Sequence, residues 1–200
     1  MSPLSNHPVI ASLRERVGQL AQARFDRAMA NGELPENLLL AFAAALADGS
    51  VVRLAEDATA LQVTIGATSR RWNLVGLNHE YIVQLAVIER LLQVLGESRE
   101  RLRVEHRRAD VAVLRTSSDL VLLQVEVKTT SAGTLREQED ARSSRDSPVR
   151  DRIFEIKPER VLFASTAVDA PVWQAVYEGR VVGRVAPTTW DEVGRFLRER

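Results

Sequence analysis

The 200-residue chain has no cysteine, which excludes both a disulfide framework and a thiolate metal site. Histidine is nearly as scarce: His7, His79 and His106 are the only three, too scattered for a zinc-binding pair. Neither a Gly-rich phosphate loop nor a Ser-His-Asp set occurs. Long apolar runs are missing too. The most apolar stretch, Leu38 to Ala47, is far too short to span a membrane, and nothing resembles a signal peptide, so a soluble, cytoplasmic protein with no membrane partner is expected. There is no excess of either charge: 27 basic residues balance 27 acidic ones. Any attraction for nucleic acid must therefore come from local asymmetry.

The scarcity of lysine is more informative. Only Lys128 and Lys157 interrupt an otherwise all-arginine set of 27 basic residues. Arginine keeps its proton at any accessible pH, whereas lysine is a compact charge whose pKa can be lowered. Lys128 closes the stretch around which the chain is organised. Asp110-Val111-Ala112-Val113-Leu114 and Leu120-Val121-Leu122-Leu123-Gln124-Val125-Glu126-Val127-Lys128 are two apolar runs, separated by the turn residues Thr116, Ser117, Ser118 and Asp119. Their valine and leucine content predicts a β-hairpin. The period of two puts Glu126 and Lys128 on one face of the second strand.

Register decides whether Asp110 joins them. A three-residue loop, Thr116 to Ser118, would set Arg115 against Asp119 and Asp110 against Gln124. Asp110 and Glu126 would then be diagonal neighbours, roughly 7–8 Å apart at the backbone. An even loop would send Asp110 to the other face. Two converging carboxylates are costly to bury without a cation. A hard divalent ion such as Mg²⁺ suits their oxygens, and a neighbouring lysine can orient or deprotonate an attacking water.

The pattern Asp110, fifteen intervening residues, then Glu126-x-Lys128 resembles the PD-(D/E)XK nuclease superfamily, which includes many restriction endonucleases and Holliday-junction resolvases. Ala109 stands where the name of that family has proline. The resemblance covers roughly residues 78–165. It implies a restriction-endonuclease-like α/β core, Mg²⁺ (with Mn²⁺ as a substitute) held by Asp110, Glu126 and the Val127 carbonyl, Lys128 acting on the water, and DNA as partner. It also implies a homodimer if both strands are cut. The helix before the hairpin often supplies a further acid in that family, and Glu89 is the matching residue. The alternative is a non-catalytic nucleic-acid-binding or assembly module on the same fold.

Along the chain, periodicity predicts a helix from Pro8 to Gly32, a second from Pro35 to Gly49, and a hairpin with arms Val51 to Leu54 and Leu61 to Ile65. Residues 1–77 form this mainly helical extension. Arg70-Arg71-Trp72, in a connector, could bind a phosphate and stack on a base, or the Trp could be tucked into the core. Asn78 is placed to cap a helix running to Gly96 with the stripe Tyr81, Ile82, Leu85, Ile88, Leu92 and Leu95. Glu89 falls on its apolar side, and Glu80 sits in the first turn, where it suits the helix dipole.

A half-exposed strand then carries Arg101, Arg103 and Arg107, which with Arg99 and Arg108 make a local basic patch. His106 reads as a strand residue near the site. Thr129 to Ser147 is a polar loop, with a short helix around Thr134 to Arg142, whose Arg142 and Arg145 could meet phosphates. Together with Arg70, Arg71, Arg103 and Arg107 they complete the nucleic-acid-binding candidates. Ser147-Pro148 starts another helix with Val149, Ile153 and Ile156 inside, so the second Glu-x-Lys, at Glu155 and Lys157, cannot form a site: residues two apart on a helix point about 200° apart. Arg160 to Ser165 reads as a buried strand. Helix, three strands, helix, strand is the resulting order of the 78–165 core. Residues 166–200 complete the domain with a hairpin, Trp173 to Tyr177 and Arg180 to Val185, and a helix opened by the capping box Thr189 to Glu192.

Overall fold

The computed structural model describes residues 8, 11, 18–32, 34, 36–66, 68–74, 80–128, 147–165, 172–176, 183 and 186–200. Asn78, Arg142, Arg145, the 129–146 loop and the second arm of the C-terminal hairpin lie outside the described residues. The chain is mixed α/β; its described strands form a three-stranded and a six-stranded sheet.

The N-terminal part contributes α1 (Gln19–Ala30), α2 (Glu36–Asp48), β1 (Val52–Leu54) and β2 (Ala60–Ile65). The helices end where expected, Gly32 and Gly49 adopting φ values of +72° and +70° that residues with a Cβ rarely take. A third strand, β3 (Thr68–Asn73), pairs antiparallel with β2. It lacks the apolar alternation that announces a strand, because only Trp72 is fully buried. Trp72 stacks on Tyr81, ring centroids 4.4 Å apart, and donates from Nε1 to Glu105 Oε1 at 3.0 Å. The small sheet is thereby fastened to the helix and strand that follow.

The larger sheet runs β4 (Leu102–His106), β5 (Ala109–Leu114), β6 (Val121–Lys128), β7 (Arg160–Ser165), β8 (Val172–Val176) and β9 (Ala186–Thr188), in that spatial order. Only the β6–β7 pair is parallel among these. That pairing requires a crossover, and α4 (Pro148–Ile156), N-capped by Ser147, lies on it. Lys157, the C-cap that follows it, takes a left-handed φ of 55°, and Glu155 and Lys157 are both exposed at this helix end. In α3 (Glu80–Leu95) every side chain from Ile82 to Ile88 is buried, because the helix packs against β5 and β6 as well as against α2 and α5 (Trp190–Arg198). Gly194 of α5 permits the last contact: a Cβ there would come within 3.2 Å of Val94 Cβ. The Thr189–Glu192 capping box is formed.

A continuous core joins the helices, the small sheet and one face of the large one, including Val111, Val113, Leu123, Val125 and Val127. Ala112, Leu114 and Val121 bury the other face with Ile156 of α4. The sheet is thus covered on both sides at β5 and β6, which explains their nearly uninterrupted apolar sequences.

Candidate active site

The β5–β6 register differs in detail from the three-residue loop. Val111 pairs with Val125, Ala112 with Gln124 and Val113 with Leu123, but Leu114 pairs with Val121. Six residues, Arg115 to Leu120, therefore make the connection, closed by a hydrogen bond from Arg115 N to Leu120 O at 2.8 Å. An even connection alone would put Asp110 on the wrong face. A bulge between Val113 and Leu114 inserts Leu122 as the extra residue and restores the parity. Accordingly Leu122 and Leu123 both belong to the α3-side core, while Val121 and Leu114 lie on the α4 side. Extended by one residue, this register sets Asp110 directly across from Glu126, not diagonally.

The two carboxylates are held differently. Glu126 is 1% exposed; its Oε1 accepts from Gln124 Nε2 at 2.6 Å and its Oε2 is ion-paired with Arg152 of α4. Asp110 keeps a rim of exposure, and its Oδ2 accepts from the Val127 backbone N–H at 2.7 Å, in place of a ladder bond. Its carbonyl accepts from Gln84 Nε2 of α3 at 2.7 Å. Burial, and next the Glu126 charge, push the Asp110 carboxyl up to about 7. The Val127 N–H and Lys128 oppose the rise, and Glu80 adds to it. The register, continued by one residue, puts both carboxylates on the α4 side of the sheet, and the Glu126 charge is the second cause, after burial, of the rise at Asp110. Lys128 Nζ donates to Val127 O at 3.1 Å and lies 3.4 Å from Glu80 Oε1.

The helix acid at this space is Glu80, not Glu89. Glu80 and Gln84 are one turn apart on the face that meets Asp110 and Lys128. Glu89 lies about 140° around the helix from Gln84 and about 180° from Glu80. Its carboxyl is half-buried near Asp48, at the end of α2, and burial followed by the Asp48 charge raises its pKa. The stripe rule failed because α3 is covered on more than one side, so an apolar flank does not identify the sheet.

Three contributors escaped the sequence reading: Gln84, Gln124 and Arg152. Each is a polar side chain on an otherwise apolar face, 4% exposed for Gln84 and 0% for Gln124. Arg152, one turn after Val149 and one before Ile156, had the same signal. Gln124 Oε1 is buried and has no hydrogen-bond donor. An acceptor left open beside two carboxylates suits a cation or its bound water. Among the described residues no group of three or more His, Asp or Glu side chains is arranged to hold a metal. The available oxygens are those of Asp110, Glu126, Gln124 and the Val127 carbonyl.

Of the arginines, Arg107 and Arg108 form the two-residue β4–β5 turn, exposed and with φ of 49° and 71°, next to Ala109 and Asp110. Arg71 is tied to Asp57 and to Thr59 Oγ1 (2.7 Å), and Arg70 lies 3.7 Å from Glu105. Trp72 is 2% exposed, so its ring is part of the core and no stacking platform for a base. Arg101 leaves the basic patch: it is buried and donates to the Leu114 and Leu197 carbonyls at 2.8 and 3.0 Å. Arg103 is half-buried and donates to the Leu102 carbonyl at 2.9 Å. His106 is half-buried, and burial, then Arg107 and Arg103, lower its pKa. No described helix is long and apolar enough to cross a membrane.

No family profile matches the chain, and comparison with curated proteins and with solved structures finds no match either.

Proposed function

We propose that the chain is a Mg²⁺-dependent endodeoxyribonuclease of the PD-(D/E)XK kind, with a restriction-endonuclease-like core, serving restriction or another DNA-defence or repair role. The observation that carries the reading is the convergence of two strand-borne carboxylates, Asp110 and Glu126, beside Lys128. The element order α3, β4–β5–β6, α4, β7 with its single parallel pair supports it too.

Asp110, Glu126 and the Val127 carbonyl would hold the ion, with Gln124 Oε1 toward it or its water, and Glu89 takes no part. The ion would neutralise charge building on the scissile phosphate and on the departing oxygen. Lys128 Nζ, steadied between the Val127 carbonyl and Glu80, orients the attacking water. Water oxygen would bond to phosphorus as the phosphorus–oxygen bond to the leaving sugar breaks, the water giving up a proton to solvent and the departing sugar oxygen taking one from solvent. Arg107 and Arg108, exposed at the adjacent turn, supply phosphate contacts, which position DNA without reading its sequence. A homodimer would allow both strands to be cut.

One observation favours the non-catalytic alternative. Arg152 is ion-paired with Glu126, so this buried carboxylate has a protein counter-charge of its own. In the nuclease reading this pair must open or share the carboxylate when the ion binds. Incubation of plasmid and branched DNA with and without Mg²⁺ separates the readings: metal-dependent cleavage supports the enzyme, and DNA binding without cleavage under Mg²⁺ or Mn²⁺ supports the module.

A further inference from the structure

The first turn of α3 meets the candidate site at two points. Gln84 reaches β5 through the Asp110 carbonyl at 2.7 Å, and Glu80 reaches β6 through Lys128 Nζ at 3.4 Å. Tyr81 belongs to the same turn, about 60° around the helix from Gln84 and about 100° from Glu80. Its ring stacks on Trp72, the centroids 4.4 Å apart and the planes within 7° of parallel. Trp72 in turn donates from Nε1 to Glu105 Oε1 at 3.0 Å. Glu105 stands across from Asp110 in the β4–β5 ladder, between the pairs Val104–Val111 and His106–Ala109. Two independent tethers, the helix turn and the indole, thus hold Tyr81 beside Asp110.

The ring is fixed, while its hydroxyl is left over. Trp72 is buried, and Glu105, which anchors it, takes a φ of 50°, a left-handed backbone that a residue with a Cβ adopts at a cost. Arg70 Nε lies 3.7 Å from the other Glu105 oxygen and steadies the same carboxylate. The Tyr81 hydroxyl bonds to none of the described residues and is not sealed from solvent. Burial, then the Glu105, Asp110 and Glu80 charges, raise the phenol pKa, so the oxygen keeps its proton and remains a donor at neutral pH.

We infer that the Tyr81 hydroxyl is a substrate-contacting group, donating a hydrogen bond to a non-bridging oxygen of the phosphate being cut. The role rests on the hydrolysis proposed above. Those oxygens gain charge in the transition state, where a donor already aimed by a locked ring costs no reorganisation. A neutral donor also suits a place this rich in carboxylates. A lysine or arginine here would pair with Glu105 or Asp110 and be consumed, and a further acid would repel the phosphate.

Tyr81→Phe removes one oxygen and keeps the ring on Trp72, so Tm in EDTA should match that of the parent. Single-turnover cleavage in Mg²⁺ should fall about tenfold to a hundredfold, with DNA affinity nearly unchanged. The second readout is a duplex carrying Rp or Sp phosphorothioate at the mapped cut. Sulfur accepts hydrogen bonds poorly, so the diastereomer with sulfur toward Tyr81 should be cut slowly by the parent. Tyr81→Phe should shrink that penalty by about the factor it costs on the ordinary phosphate, and leave the penalty of the other diastereomer as it is. A purely structural role would lower Tm and leave both penalties alone. That result, or cleavage by Tyr81→Phe at the parental rate, overturns the inference and leaves the metal centre standing. A parent that cuts no DNA with Mg²⁺ or Mn²⁺ overturns the hydrolysis itself, and this role with it.

Discussion

Asp110→Asn should make the metal-free protein more stable at neutral and alkaline pH. The Asp110 carboxyl climbs from 3.8 to about 7 because burial and the Glu126 charge penalise its ionised form. The folded protein therefore holds this proton more tightly than the unfolded chain does. The sign follows: the stability this group contributes is complete below pH 3.8 and is lost as the pH rises to about 7. At about 1.4 kcal/mol per pH unit the full loss is at most about 4 kcal/mol, and water reaching the rim of the carboxylate reduces it. The amide is isosteric, can still accept the Val127 N–H, and never ionises. Urea unfolding from pH 4 to 8 in EDTA is the assay. With a slope of about 2 kcal/mol per M, the midpoint of Asp110→Asn should exceed that of the parent by up to about 2 M at pH 8. The two should draw together toward pH 4. Mg²⁺ should narrow the gap at pH 8 by stabilising the parent, since a divalent cation reverses the repulsion. Superimposable pH profiles for the two proteins would refute the claim that Asp110 and Glu126 share one buried space.

Lys128→Ala should lower single-turnover cleavage by ~10²–10⁴ while leaving DNA affinity nearly intact, because the proposed phosphate contacts are those of Arg107 and Arg108. Lys128→Arg should fail almost as badly, as a guanidinium keeps the charge in the wrong shape. Glu89→Gln should cut at the parental rate, whereas Glu80→Gln, which loosens Lys128, should be slower; the reverse ranking would restore Glu89 to the site. Arg152→Met leaves Glu126 buried without its cation and should cost about 3–5 kcal/mol in EDTA, with Mg²⁺ recovering part of it in thermal unfolding.

How much of this was legible beforehand depended on whether one element's own pattern carried the signal. The β5–β6 strands, α4 with its Ser147 cap and the Thr189 box were readable because local chemistry specifies them. Asp110 and Glu126 were correctly set on one side, but through a six-residue connection and a bulge at Leu122 rather than through a three-residue loop. Sequence parity counts residues and cannot tell where an odd one is inserted. β3 was missed because an edge strand with a single buried residue shows no alternation. Glu89 was chosen over Glu80 because an apolar stripe identifies a covered face without saying by what; α2 and α5 cover α3 as well as the sheet. Arg152 and Gln124 were overlooked although each interrupts an apolar face, and their partners come from register and tertiary packing.

The central claim is that Asp110, Glu126 and Lys128 form a metal-dependent centre for phosphodiester hydrolysis. Single-turnover cleavage of plasmid and branched DNA, followed with and without Mg²⁺ in the parent and in Lys128→Ala, tests it most directly. Cleavage should require Mg²⁺ or Mn²⁺ and all but disappear in Lys128→Ala while DNA binding persists. Equal cleavage by the two proteins, or cleavage indifferent to EDTA, would contradict it.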